Sequence, residues 1–79
     1  MKLTKYYAVP DGYVRFGKKH GYKISIYYSS WDSGYYFKLE KLGRIFISKL
    51  DNQLIFKTEA DCIEACEYCI ETNMMFDRG

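Results

Sequence analysis

Cys62, Cys66 and Cys69 follow one another at spacings of four and three residues, the spacing that places side chains on one face of a helix. Thiolates grouped in this way can hold zinc. A tetrahedral zinc site, however, needs four ligands, usually in two close pairs of Cys or His, and the single histidine, His20, stands more than 40 residues upstream. A three-thiolate site is the chemical alternative to a simpler reading, in which buried cysteines pack as small hydrophobes; the second is expected. His20 lies in the run Gly17 to Gly21 (GKKHG) with no neighbour that marks it as a base, and it reads as a solvated turn residue. Gly17 and Gly21 flank that turn without opening a helix, so they lack the amides that cradle phosphate. The expectation is therefore a protein that is not an enzyme and carries no metal and no cofactor.

The aromatic content points to binding. Nine tyrosines, five phenylalanines and one tryptophan make up 19% of the chain. Three tyrosine pairs are adjacent in sequence, Tyr6 with Tyr7, Tyr27 with Tyr28 and Tyr35 with Tyr36. Neighbours on a strand point to opposite faces, so one ring of each pair leaves any face that a helix covers. Cross-strand pairing that stabilises a small sheet accounts for such rings, and so does a binding surface, where Tyr and Trp dominate the energetics. Tyr27, Tyr36 and Trp31, the last within Ser29 to Gly34 (SSWDSG), are the aromatic candidates.

Charge adds two further groups. Residues 1 to 24 carry Lys2, Lys5, Arg15, Lys18, Lys19 and Lys23 against Asp11, a net +5. Residues 59 to 79 carry Glu59, Asp61, Glu64, Glu67, Glu71 and Asp77 against Arg78, a net −5. Such a dipole steers partners without specifying a fold. Asp61, Glu64, Glu67 and Glu71 coat the side of the cysteine helix opposite the thiols, and no lysine is interleaved among them. A one-signed stripe of this kind suits docking on a basic, nucleic-acid-binding surface of another protein. Arg15, Lys18, Lys19, Lys23, Lys38 and Arg44 are the candidates for the alternative, a nucleic-acid-binding module with exposed tyrosines as stacking platforms.

The elements that position these residues follow from periodicity. Apolar residues alternate with polar or outward ones in Tyr22 to Tyr28, Tyr35 to Leu39 and Ile45 to Ser48, three half-buried strands. Turn chemistry separates them: SSWDSG, then Lys41 to Arg44 (KLGR), then Asp51 and Asn52. Leu54 to Phe56 reads as a short further strand. Upstream, Tyr6 to Val9 and Tyr13 to Phe16 flank the turn Pro10–Asp11–Gly12, and Gly17 is expected to end the second of these strands and open a basic loop to Gly21. Thr58 to Thr72 (TEADCIEACEYCIET) forms one amphipathic helix with Thr58 as N-cap. Asn73 is a candidate cap at its end, with Met74 to Phe76 either packed back or exposed. The fold expected is α+β: one domain, residues 1 to 79, in which an antiparallel meander of four to six strands packs against one C-terminal helix.

No apolar run approaches the roughly 20 residues of a membrane span, and MKLTKYY lacks the apolar core of a signal peptide. With an odd number of inward-facing cysteines, reduced thiols and a cytoplasmic location are expected.

Two resemblances bear on function. From Gly34 to Ala65 the chain resembles the three-strand-plus-helix pattern of ethylene-response-factor-like and integrase arm-type DNA-binding domains, through Gly34, Tyr36, Gly43, Arg44, Phe56, Thr58, Glu59, Ala60 and Ala65. It departs from that pattern in having few strand arginines and an acidic helix. In size, tyrosine content and general character the chain also resembles small phage-encoded proteins that block host defence systems, including anti-CRISPR proteins. That likeness implies a viral protein that binds a host defence or regulatory protein and blocks it sterically, in the host cytoplasm.

Overall fold

The structure, a computed structural model, describes residues 1–75. Five strands run in chain order: β1 (Tyr7–Val9), β2 (Gly12–Lys19), β3 (Tyr22–Ser29), β4 (Gly34–Lys41) and β5 (Arg44–Ile47). Each pairs antiparallel with the next, so sheet order equals sequence order. A helical turn, α1 (Ser48–Asp51), leads toward the long helix α2 (Glu59–Glu71). The α+β meander with a C-terminal helix is thus the fold of the chain, at five strands.

The core forms because one side of β3 and β4 is apolar and one side of α2 is too. Tyr22, Ile24 and Ile26 of β3 and Phe37 and Leu39 of β4 are buried against Cys62, Cys66, Cys69 and Ile70. Thr58 caps the helix as its sequence implies, its hydroxyl accepting from the Asp61 amide at 3.1 Å. At the other end Thr72 is the C-cap and Asn73 follows it at φ +50°. The Asn73 amide donates to Ile70 O at 3.0 Å and the Met74 amide to Cys69 O at 3.1 Å, the paired bonds of a Schellman closure. Asn73 also accepts a 2.6 Å hydrogen bond from the Tyr22 hydroxyl, and Met74 and Met75 pack on the core; Phe76 lies outside the described residues.

Two boundaries differ from the sequence expectation. β2 does not end at Gly17 but continues to Lys19, and only His20 and Gly21, at φ +52° and +83°, form the turn. Gly17 is needed for close approach instead: a Cβ there would lie 2.9 Å from Leu3 Cδ2 and 3.0 Å from Lys2 O. The N-terminal segment crosses β2 at this point, and the Thr4 amide donates to Phe16 O at 2.8 Å. The second difference follows β5. Ser48 opens a helical turn, and its hydroxyl accepts from the Phe37 amide at 3.1 Å and donates to Leu54 O at 3.3 Å, so a buried side chain replaces the next rung of the ladder. The strand expected at Leu54 to Phe56 reduces to one bridge, with Phe56 and Tyr35 exchanging two 2.7 Å backbone bonds.

Candidate functional site

The register divides the sheet into two faces. On the side of α2, Tyr6, Tyr13, Tyr28 and Tyr35 form an aromatic ladder with successive centroids 5.3, 5.3 and 5.0 Å apart. The other ring of each adjacent tyrosine pair stands on the side without the helix. There the cross-strand pairing sets Tyr7, Val14, Tyr27 and Tyr36 in one row, and Phe16, Ser25, Lys38 and Ile47 in the next. The third row is Lys18, Lys23, Glu40 and Ile45. Although α2 does not cover this face, Val14, between Tyr7 and Tyr27 in the row, is only 4% exposed.

Tyr27 and Tyr36 stack at 4.8 Å with 9° between their planes. Lys49 Nζ lies 5.4 Å from the Tyr36 centroid and 2.6 Å from Asp32 Oδ2, which ties α1 to the β3–β4 turn. That hydrogen bond, seconded by Ser29, holds the Asp32 carboxyl below its usual range. Burial raises the Tyr36 hydroxyl pKa, with the neighbouring Tyr27 adding to it. Trp31, in the β3–β4 turn at this end of the sheet, is 80% exposed. Of the three aromatic candidates, Tyr27 and Tyr36 are in contact, and Trp31 stands in the turn two rungs beyond them. Sequence reading missed Tyr7, Val14, Phe16 and Lys49 as their neighbours; alternation within Tyr13 to Phe16 puts Val14 and Phe16 on one face, but only the strand register sets that face beside Tyr27 and Tyr36.

The six basic candidates separate. Lys18, Lys23 and Lys38 share the helix-free face around a hollow of about 270 Å³, and among the described residues none of them forms an ion pair. Lys18 and Lys23 are direct cross-strand partners, a like-charged pairing that opposes folding. Arg15 and Lys19 turn to the helix side instead. Arg15 Nη1 pairs with Glu59 Oε1 at 2.9 Å, and Lys19 Nζ lies 3.4 Å from Glu67 and 3.3 Å from Glu71. Arg44 donates to Met75 O at 3.0 Å.

These contacts also divide the acidic stripe. Glu67 receives the N-terminal ammonium at 3.5 Å, and His20 Nε2 lies 3.3 Å from Glu71. The Lys19 hydrogen bond, more than any other contact, lowers the Glu71 pKa and is matched by a rise at Lys19. Asp61 and Glu64, by contrast, form no ion pair among the described residues and stand exposed beside an apolar groove. The three thiols are buried and unpaired with one another; burial pushes Cys62 and Cys66 up to about 12, which disfavours the thiolate that a metal or an electrophile requires.

No helix among the described residues is long and apolar enough to cross a membrane. Compared with protein-family models, with curated proteins and with solved structures, the chain matches none of them.

Proposed function

We propose that this protein is a small macromolecule-binding module that docks a protein partner on the helix-free face of its sheet. The observation that carries this reading is the row Tyr7, Val14, Tyr27, Tyr36, an aromatic strip in which three rings flank a buried valine on the face that α2 leaves open, with the exposed Trp31 in the turn at that end of the sheet. Rigid aromatic side chains give large contact area at low entropic cost, and they are the usual anchors of interfaces. The lysines at the strip's margin favour a partner with an acidic rim. Binding of this kind acts by occupying the partner's surface, and the general likeness to phage anti-defence proteins extends the proposal to a host defence or regulatory protein as the blocked partner.

The test compares capture by the wild-type chain with capture by Tyr27→Ala, Tyr36→Ala and Trp31→Ala, each checked for fold by circular dichroism. A partner retained by the wild type and lost from these variants supports the reading; equal retention by all four removes it.

One observation favours a second reading, nucleic-acid binding: Lys18, Lys23 and Lys38, with Glu40 as the one acid among them, line one hollow on the same face. Against it, the Tyr36 ring is already engaged by Tyr27 and Lys49, which leaves little free π-face for a base. Fluorescence anisotropy with single-stranded and duplex oligonucleotides at physiological ionic strength separates the two. Submicromolar binding that is lost in Lys18→Glu, Lys23→Glu and Lys38→Glu would place nucleic acid first.

A further inference from the structure

We propose a second docking site on the opposite side of the molecule: the groove beside α2 takes an amphipathic segment of a partner protein that presents apolar side chains inward and Lys or Arg outward. It shares no residue with the aromatic strip and does not depend on that strip's function.

The groove encloses about 700 Å³, within the range of roughly 300 to 1,000 Å³ typical of binding clefts. Phe37 and Phe56 form its floor, Ala65 and Met74 its walls, and Leu54 and Tyr68 its rim. It exists because the chain between α1 and α2 rejoins the sheet only at the Phe56–Tyr35 bridge, so a wedge stays open between that segment and the helix. Tyr68 is 69% exposed, an aromatic ring that the fold does not bury. A thioether wall such as Met74 adapts its shape to varied apolar partners.

Charge decides what kind of segment fits. Glu59, Glu67 and Glu71 meet Arg15, Lys19 and His20, all supplied by β2 and the turn that follows it. Asp61 and Glu64, three residues apart and on the groove side of the helix, meet no cation among the described residues. An apolar floor under two unmatched carboxylates attracts a cationic amphipathic segment and repels an anionic one.

The probe is a fluorescein-labelled amphipathic helix of leucine and lysine, with a leucine and glutamate peptide of the same pattern as control. Titration into the full chain is followed by anisotropy and by amide chemical shifts. Saturable micromolar binding is expected for the lysine peptide alone, with shifts at Ala65 and Tyr68 and none at Tyr27 or Tyr36. Affinity should fall at least about tenfold in the paired variant Asp61→Asn and Glu64→Gln, which removes charge, and similarly in Ala65→Trp, which fills the groove and leaves the charge. Should Ala65→Trp fail to fold, Leu54→Gln on the rim replaces it. Tyr27→Ala should bind the peptide as the wild type does, so the two surfaces can fail separately. Absent binding, shifts confined to the sheet face, equal affinity in the variants, or dilution-dependent shifts of Ala65 and Tyr68 without peptide, which would identify a second copy of this chain as the occupant, each overturn the proposal.

Discussion

Tyr27 and Tyr36 are direct cross-strand partners whose rings lie 4.8 Å apart and 9° from parallel on the face of the sheet that α2 leaves open. Stacked pairs of this kind contribute about 0.5–1.5 kcal/mol beyond the area they bury. A double-mutant cycle of Tyr27→Ala and Tyr36→Ala, read by urea denaturation, should return a coupling in that range. Coupling near zero would mean the rings act independently, and the strip would lose its claim to be a preorganised surface.

The helix carboxylates are not equivalent. Glu67 and Glu71 hold Lys19, so reversing Glu64, Glu67 and Glu71 to lysine together should destabilise the fold. Glu67→Lys with Glu71→Lys should lower the melting temperature, because Lys19, His20 and the N-terminal ammonium would then face like charges. Asp61→Lys with Glu64→Lys should change stability by no more than about 0.5 kcal/mol per site, the usual scale for surface substitutions. Thermal melts at low and high salt test the contrast; the first pair should recover as salt rises.

Leu42 occupies the first position of the two-residue β4–β5 turn at φ +51° and is 84% exposed. The left-handed region costs a residue with a Cβ roughly 1–2 kcal/mol, and asparagine tolerates it better. Leu42→Asn is expected to stabilise by about 0.5–1 kcal/mol, read as a rise of several degrees in melting temperature for a domain of this size. A fall would show that Leu42 makes an apolar contact that outweighs its backbone strain.

With Cys62 and Cys66 at about 12, almost no thiolate exists at neutral pH, and both side chains are shut away from solvent. A disulfide reagent at pH 8 should modify neither of these thiols promptly in the folded protein and all three cysteines promptly in denaturant. Native-state rates should track opening of the domain. Prompt labelling of Cys62 or Cys66 without denaturant, or one equivalent of bound zinc, contradicts this packing.

Acid should weaken the fold through two identified carboxylates. Lys49 and Lys19 hold Asp32 and Glu71 below their ordinary values, so the unfolded chain takes up protons before the folded one as pH falls through about 4. Their contribution is complete above the unfolded value and disappears as pH drops through the lowered folded one. The double variant Asp32→Asn and Glu71→Gln should show a shallower loss of melting temperature below about pH 5. An unchanged slope would assign the acid sensitivity to other groups.

The sequence by itself determined the elements whose signals are local. Alternation in Tyr22 to Tyr28 and Tyr35 to Leu39 made strands, the spacing of Cys62, Cys66 and Cys69 with Thr58 ahead of them made the helix, and KLGR made a two-residue turn, because each pattern is read over a few neighbouring residues. It also required each adjacent tyrosine pair to split between two faces. What it did not contain was which ring belonged to which face, or which acid met which base. Gly17 sits inside a strand because Leu3 and Lys2 cross it, and Ser48 ends β5 because its hydroxyl meets Phe37 and Leu54. Lys19 reaches Glu67 across 48 residues of sequence, which splits a stripe that looks uniform on a helical wheel. The groove has no sequence signature, since it is the gap between a helix and a loop that rejoin the sheet at different places. Contacts of that range depend on how the elements pack, and packing is decided only when the whole chain has closed on its core.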